Sequence, residues 1–476
     1  MGCTSSTSTA TSNPLPSMHS MPSRRPPEEI EDAGDMIKKR DDFYRLGEEE
    51  RDKNEFINAV ESFTSACDLD LRVNGIESEF TYNCYRNNYQ IYKKLGEVND
   101  KKCKYYLSRL LDHYAWRNIE SSGKYYKEFA TFCKEEAKMQ LGRKRYLKAH
   151  LYLEIALSLG AEDDMKLQRE ISEAFKEDDK KALKNIKEEL EHLKSLFAKS
   201  KCETDEIATL YITIGKKLRD HKKYSDALGC FRRALDYYTL KQSKDTKYGP
   251  QIGMIYLDIG KALKERNKLL KACVFLEMAQ ELVVDQYSQN EAADLFDKYS
   301  AMAQYPRSDD PDFRRIMEIL KRRTETSELY KLFNSYGKKL IENKREKEAL
   351  VYLLRALDYF AYASYTEKSY GPILGAVFMN LSRAYYYKKN YIKAALFMER
   401  AYSLCEGTER ARAINMLIEM YRHLKDANEI YIIPHLIRKA IKREEIIQGS
   451  KDNQIKKEIL KAIEPSNNAR FVSNKI

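Results

Sequence analysis

The first six residues carry the most specific chemistry in this chain. They read Met-Gly-Cys-Thr-Ser-Ser, so Ser6 stands four positions after Gly2, the spacing of the acceptor for an N-terminal myristoyl amide once the initiator methionine is removed. Cys3, beside it, offers a thiol for palmitoylation. One myristoyl chain holds a membrane only marginally, so the second acyl group is what would make attachment durable. Residues 4–27 are mostly Ser, Thr and Pro with almost no apolar content, a composition suited to a flexible tether. Arg24 and Arg25 are too few to form a polybasic patch.

The familiar catalytic constellations are missing from the sequence. There is no phosphate-cradling GxxxxGK[ST], no GxGxxG after a strand, no HExxH, no GxSxG and no EF-hand loop. His113, His150, His192, His221 and His423 stand alone, without the paired ligands a metal needs, and read as surface or packed helix residues. The nine cysteines are odd in number and contain no CxxC pair, which argues against a disulfide framework and for a reducing compartment. Cys67, Cys230 and Cys273 fall where a buried, inert thiol is expected. The run RSDDPDF at 307–313 reads as an acidic cap before a helix. The expectation is a non-enzyme with no cofactor, no metal and no small-molecule substrate.

What remains is binding chemistry, and it is cationic. The net charge is +11, and the basic residues gather in short turns: Arg143, Lys144, Arg145; Lys222, Lys223; Lys264, Arg266, Lys268; Lys344, Arg345; Lys388, Lys389. If these turns are equivalent they line one edge of the molecule, where Lys222, Lys223, Lys344 and Arg345 would meet an acidic partner or an anionic membrane. The plainer alternative is a solvated edge with no partner. Nucleic acid is not expected, because no base-reading motif is present and the basic residues are mixed with acids.

The turns are equivalent because the segments around them repeat. A small residue is followed twelve positions later by Ala, then by a large apolar residue and a second Ala. The series runs Gly47, Ala59, Phe63, Ala66; Ala137, Ala149, Leu153, Ala156; Gly215, Ala227, Phe231, Ala234; Gly260, Ala272, Leu276, Ala279; Gly337, Ala349, Leu353, Ala356; and Ser382, Ala394, Met398, Ala401. Small residues let two antiparallel helices close on each other while large ones at helical spacing fill the seam. The pattern, with Phe43, Tyr211, Tyr256, Phe333 or Phe378 four positions before the small residue, resembles the tetratricopeptide repeat. It departs in length: the usual unit is about 34 residues and closes with Pro, whereas Ala227 to Ala272 and Ala349 to Ala394 are each 45 apart. The excess is roughly three helical turns, which keeps the apolar faces in phase and resembles the long repeats of kinesin light chains. The resemblance implies a non-enzymatic array that binds a protein or peptide in a concave groove, with Asn380 and Arg383 at positions that line the first helices.

A larger duplication overlies the small one. RALDYY at 233–238 and YGP at 248–250 return as RALDYF at 355–360 and YGP at 370–372, 122 residues on, and RLLDHY at 109–114 is an earlier, blurred copy. Pro250 and Pro372 suit the first turn of a helix. Leu183, Ile186, Leu190, Leu193 and Phe197 alternate by three and four, which suits a helix docked on the array.

The expected fold is all-α, an α-solenoid of stacked antiparallel helix pairs, with six segments: an acylated tether 1–27, an entry pair and helices 28–100, a first degenerate unit 101–200, a second unit 201–322, a third unit with capping helices 323–448, and a C-terminal helix and tail 449–476. No apolar run approaches the roughly 18 residues of a membrane span, and 349–363 is interrupted by Arg355 and Asp358. The expected role is a scaffold held on the cytosolic face of a membrane through Gly2 and Cys3. The alternative is a soluble cargo or assembly adaptor like kinesin light chain.

Overall fold

The computed structural model describes residues 32–96, 100–242, 246–306, 308–322 and 326–425. Gly2, Cys3, the tether 1–27 and the tail 449–476 lie outside them. Among the described residues every regular element is a helix, and the chain is an α-solenoid of stacked antiparallel pairs. An entry pair, α1 (Ala33–Asp52) and α2 (Phe56–Asn74), leads into three four-helix units. The first is α3 (Glu79–Lys94), α4 (Asp100–Glu120), α5 (Tyr126–Gly142) and α6 (Tyr146–Ser158). Three connecting helices follow, α7 (Met165–Ala174), α8 (Glu177–Asn185) and α9 (Lys187–Ser200). The second unit is α10 (Asp205–Asp220), α11 (Tyr224–Gln242), α12 (Gly249–Glu265) and α13 (Leu269–Leu282), joined through α14 (Gln286–Ala303) and α15 (Pro311–Arg322) to the third. That unit is α16 (Thr326–Glu342), α17 (Glu346–Thr366), α18 (Gly371–Tyr387) and α19 (Tyr391–Leu404), and α20 (Gly407–Lys425) packs on α19.

Each pair closes as the spacing requires. A Cβ on Gly47 would lie 3.0 Å from the Phe63 ring, one on Gly215 2.6 Å from Phe231, and those on Gly260 and Gly337 2.7 Å from Leu276 and Leu353. Every contact joins residues sixteen apart, the small residue of one helix and the large residue of the next. At Ser382 the hydroxyl donates instead to the Ala394 carbonyl at 2.5 Å. Ala59, Ala137, Ala149, Ala227, Ala272, Ala349 and Ala394 are wholly buried at the crossings.

The turns inside the pairs share one geometry. Asn54, Lys144, Lys222, Asn267, Lys344 and Lys389 all have φ between +54° and +61°. In the second unit the Lys222 amide donates to the Arg219 carbonyl and the Lys223 amide to that of Leu218, both at 2.8 Å, so the last carbonyls of α10 are satisfied. Pro250 and Pro372 begin α12 and α18, where a missing amide proton leaves nothing unpaired. Ile186 breaks the expected 180–199 helix into α8 and α9; Leu190, Leu193 and Phe197 of α9 are buried, and α9 packs on α6 and α10.

Residue 100, where the sequence divides the entry helices from the first unit, falls between α3 and α4, which pack together.

In most pairs the second helix is buried more completely than the first, α12 and α13 being the exception. In α2 every residue from Ser62 to Leu71 is buried, and in α19 every residue from Ala394 to Leu404, whereas α10 buries a single stripe of Ile207, Tyr211, Ile214 and Leu218. Second helices therefore fill the centre. There α4, α11 and α17 surround a void of about 10 Å³ lined by Trp116, Asp236, Thr239, Leu240, Asp358, Tyr359 and Tyr362, room for about one water.

The charged residues of the repeated Arg-x-x-Asp segment meet around this point. Arg233 lies 3.8 Å from Asp112 of the preceding unit, and Arg355 lies 3.9 Å from Asp236 of its own preceding unit. Burial raises the Asp358 carboxyl of the third unit against the pull of Arg355 and Arg232, with a smaller pull from Arg109 of the first. Outward, Arg109 pairs with Glu77, and Arg233 grips both oxygens of Glu203 at 2.7 and 2.8 Å. Asp236 is buried, and neither of its oxygens accepts a hydrogen bond.

The ends of the array also meet. α19 packs on α2 and α4. Ser403 donates to Asp68 at 2.8 Å, Arg72 to the Tyr402 hydroxyl at 2.8 Å, and buried Arg400 reaches the Cys67 sulfur at 3.1 Å. Gly371 sits so close to the Gly75 carbonyl that a Cβ there would collide with it. Where α4, α11 and α17 meet, the second helices themselves fill the middle of the array.

Replacing Gly215 or Gly337 with Leu should force the paired helices apart at a cost of about 1–3 kcal/mol through overpacking. A thermal midpoint unchanged in both variants would refute the crossing geometry.

Burial first, and then Asp358 and Asp112, push the Asp236 carboxyl up to about 7 against the pull of Arg232 and Arg233. A raised carboxyl binds its proton more tightly folded than unfolded, so its contribution is fully present below the unfolded value and is lost as pH rises through the folded one. Wild-type stability, measured by denaturant unfolding, should therefore fall relative to Asp236→Asn between about pH 4 and about pH 7, by at most about 1.4 kcal/mol per unit. Parallel pH profiles for the two proteins would exclude this.

Candidate functional site: a groove across successive first helices

The accessible concavity of the array lies at its C-terminal end. The first helices α16 and α18, followed by α20, stand side by side and leave a groove of about 840 Å³, within the range of built ligand sites. Its floor is apolar: Ala376 and Met379 from α18, Leu404 at the end of α19 and Met416 from α20. Pro372 and Cys405 extend it. Gly375 lets α18 lie flat against the end of α19, because a Cβ there would stand 3.0 Å from the Cys405 sulfur and 3.1 Å from Leu404.

The walls are polar and of mixed sign. Lys338, Arg383 and Arg412 face the groove together with Glu342, Glu406 and Glu409. Arg383 stands 4.0 Å from Glu342, and Arg412 donates to Glu409 at 2.5 Å. Both are part-exposed pairs whose coupling is weak enough for an incoming group to replace. Asn380 donates to the Asn334 side chain at 2.9 Å, an amide pair bridging α18 and α16. Side-chain amides can both donate to and accept from a peptide backbone, so this pair can hold an extended segment by its main chain while the floor takes side chains.

Of the residues expected to bind a partner, Asn380 and Arg383 are thus brought together. Lys222 and Lys223 are placed elsewhere, in a second cavity on the turn side, where Lys223 pairs with Asp179 at 2.6 Å. Lys344 is exposed on the α16–α17 turn. Arg345 is not available to a partner: it donates to Glu348 at 2.9 Å and to the Pro306 carbonyl at 3.3 Å, and its guanidinium covers the Tyr305 ring. Neither Lys344 nor Arg345 lines the cavity that holds Lys222 and Lys223, so the four are not one site.

Sequence reasoning missed Lys338, Met379, Arg412 and Met416 as site residues. The repeat register could have supplied Lys338 and Met379, which flank the small-residue positions of α16 and α18. It could not have supplied α20, which carries no copy of the pattern.

His113 and the cysteines resolve as packing, while His192 and His221 are exposed. His113 is buried and stacked on Tyr82 at 3.6 Å, and burial, with Arg117, Arg109 and Arg86 beside it, keeps it neutral. All eight described cysteines are free, and burial pushes the Cys67, Cys230 and Cys273 thiols up to about 12. The acidic run before α15 caps that helix through Asp310 and holds Lys339 of α16, with Asp310 and Asp312 each 2.9 Å from its ammonium. Among the described residues no cluster of ligands could hold a metal, and no helix is long and apolar enough to cross a membrane.

No protein-family model matches the chain, and no curated protein matches it. Two solved structures are similar to it over most of their length. One is yeast Tom70, at 13% identity with 85% of this chain and 99% of that chain covered and a TM-score of 0.22. The other is the APC/C hetero-tetramer Cut9–Hcn1, at 14% identity with 89% and 96% covered and a TM-score of 0.16.

Proposed function

We propose that this chain is a non-enzymatic scaffold that holds a segment of a partner protein in the α16–α18–α20 groove. The observation that carries the reading is the groove itself: an apolar floor of Ala376, Met379, Leu404 and Met416 between walls of mixed charge, on three successive helices. Apolar anchors in a pocket with replaceable polar groups around them are what protein recognition requires. Because the walls carry both signs, the partner segment is amphipathic rather than uniformly acidic.

We further propose that the scaffold works on the cytosolic face of a membrane, anchored by myristate on Gly2 and palmitate on Cys3. Support comes from the acceptor spacing and from the polar tether of residues 4–27, which together would let the array hang free of the lipid. A soluble adaptor of the kinesin light chain kind is the competing reading, and it needs no acyl group.

Two experiments test these proposals separately. Full-length chain used as bait should retain a partner that Ala376→Arg and Met416→Arg lose, with circular dichroism melts confirming that the variants fold. The same proteins on wild type and both variants would remove the groove from the binding site. Cell fractionation tests the anchor: Gly2→Ala should move the chain to the cytosol, and Cys3→Ser should leave a weak, washable attachment, since each buried methylene contributes only about 0.8 kcal/mol. Wild-type chain found wholly in the cytosol, or Gly2→Ala still on membranes, would promote the soluble adaptor.

A further inference from the structure

The strongest feature outside the groove lies on the turn side of the first two units. The α5–α6 turn, the start of α8, the α10–α11 turn and the end of α12 enclose a cavity of about 360 Å³. Six cations reach it from these four segments: Lys144, Arg145, Lys176, Lys222, Lys223 and Arg266. Two acids share the wall, and both are engaged. Asp179 pairs with Lys223 at 2.6 Å, and Asp226 accepts the Lys148 amide at 3.1 Å. Lys144, Arg145, Lys176, Lys222 and Arg266 make no ion pair among the described residues.

The backbone adds to this field. α6 begins at Tyr146, α8 at Glu177 and α11 at Tyr224, so three helix N-termini stand beside the cavity, with Asp226 taking an amide of the first and Asp179 an amide of the second. Glu177 and Asp178 also stand on the first turn of α8, but neither forms part of the cavity wall. The cationic field extends inward. Burial, together with Arg143, Lys393, Arg145 and Lys148, pushes the Lys104 ammonium down to about 8. Burial is the larger cause, and the four neighbouring cations add to it.

The wall chemistry also separates ligand classes. It contains Lys, Arg, Tyr, Ser and Asp but no aliphatic side chain and no Phe or Trp. A peptide partner would find no aliphatic anchor there, only the two tyrosines Tyr146 and Tyr224. A small anion with several phosphates needs none: each oxygen can take a charge-assisted hydrogen bond, and cations on four separate segments suit several phosphates better than one. The volume is at the small end of the range for bound small molecules.

We propose that this pocket binds a compact polyphosphorylated group, a small ring bearing two or more phosphates, held by Lys144, Arg145, Lys176, Lys222 and Arg266. The site goes beyond the scaffold reading and does not depend on it, since the groove is built from α16, α18 and α20 and shares no residue with this pocket. The fixed turns put the cations in place before any ligand arrives. Lys144 and Lys222 are the left-handed residues of their turns, with φ of +58° and +60°, so their backbones are set by the capping bonds.

The test uses inositol hexakisphosphate with the full chain, read by calorimetry and by the shift of the thermal midpoint, which rises with bound ligand. Wild type should bind with an affinity that weakens as salt is added. Lys222→Glu and Arg266→Glu should each weaken binding by about tenfold or more, whereas Lys344→Glu, outside the pocket, should not. Should Lys222→Glu fail to fold, Arg266→Glu alone carries the comparison. A second arm uses Gly2→Ala protein with vesicles of phosphatidylcholine, with and without phosphatidylinositol bisphosphate. Capture by the phosphoinositide vesicles assigns the site to a lipid headgroup, and binding of the soluble ligand alone assigns it to a free metabolite. No binding in either arm, an equal loss in Lys344→Glu, or equal displacement by oligo-aspartate would overturn the proposal.

Discussion

The structure depends on burying the charged middle of its second helices. Three of them, α4, α11 and α17, carry Arg and Asp three residues apart and meet where water is largely excluded. A buried charge without a partner is strongly unfavourable, and removing one member of a buried pair typically costs about 3–5 kcal/mol. The stable solution is for each arginine to face the aspartate of the preceding unit, as Arg233 does Asp112 and Arg355 does Asp236. A shift of one unit against the next would strand charges in the core. The two cross-unit pairs therefore favour one register between successive units, a task that apolar packing alone performs loosely.

That arrangement decides where a partner can bind. Once the second helices occupy the centre and α19 reaches α2, the middle of the solenoid has no room for a ligand. Binding surface is left on the first helices and on the turns. These differ in chemistry: Met, Ala and Leu under mixed charges between α16, α18 and α20, and almost unbroken cationic character around the α5–α6 and α10–α11 turns. The two surfaces share no residue.

The left-handed residue repeated in six of the pairs connects these levels. A non-glycine residue at positive φ costs roughly 1–2 kcal/mol, yet Asn or Lys holds all six positions. The geometry ends the first helix, satisfies its last carbonyls and starts the second helix at a fixed angle. It also aims the first-helix C-termini and second-helix N-termini at one side of the array, so lysines placed there meet the positive ends of the following helices. The basic character of that side is therefore stronger than the count of lysines suggests.

The sequence by itself determined the pairs. The small residue, the large residue sixteen positions on and the two alanines settle each crossing, because the two helices are joined by a turn of a few residues and their contact is nearly local. Gly215 on Phe231 and Gly337 on Leu353 could be read without coordinates, as could the first-turn prolines and the lysine-rich turns. Only the tertiary structure decided how the pairs add up. The meeting of α2 with α19 and of Gly75 with Gly371 depends on small rotations accumulated over more than ten helices, and no single segment encodes that sum. The same holds for the groove, which needs α20, and for the basic pocket, which needs Lys176 from a connecting helix that belongs to no repeat. Contacts between neighbours are set by side-chain size, but contacts between distant units are set by superhelical geometry, and that geometry exists only in the folded chain.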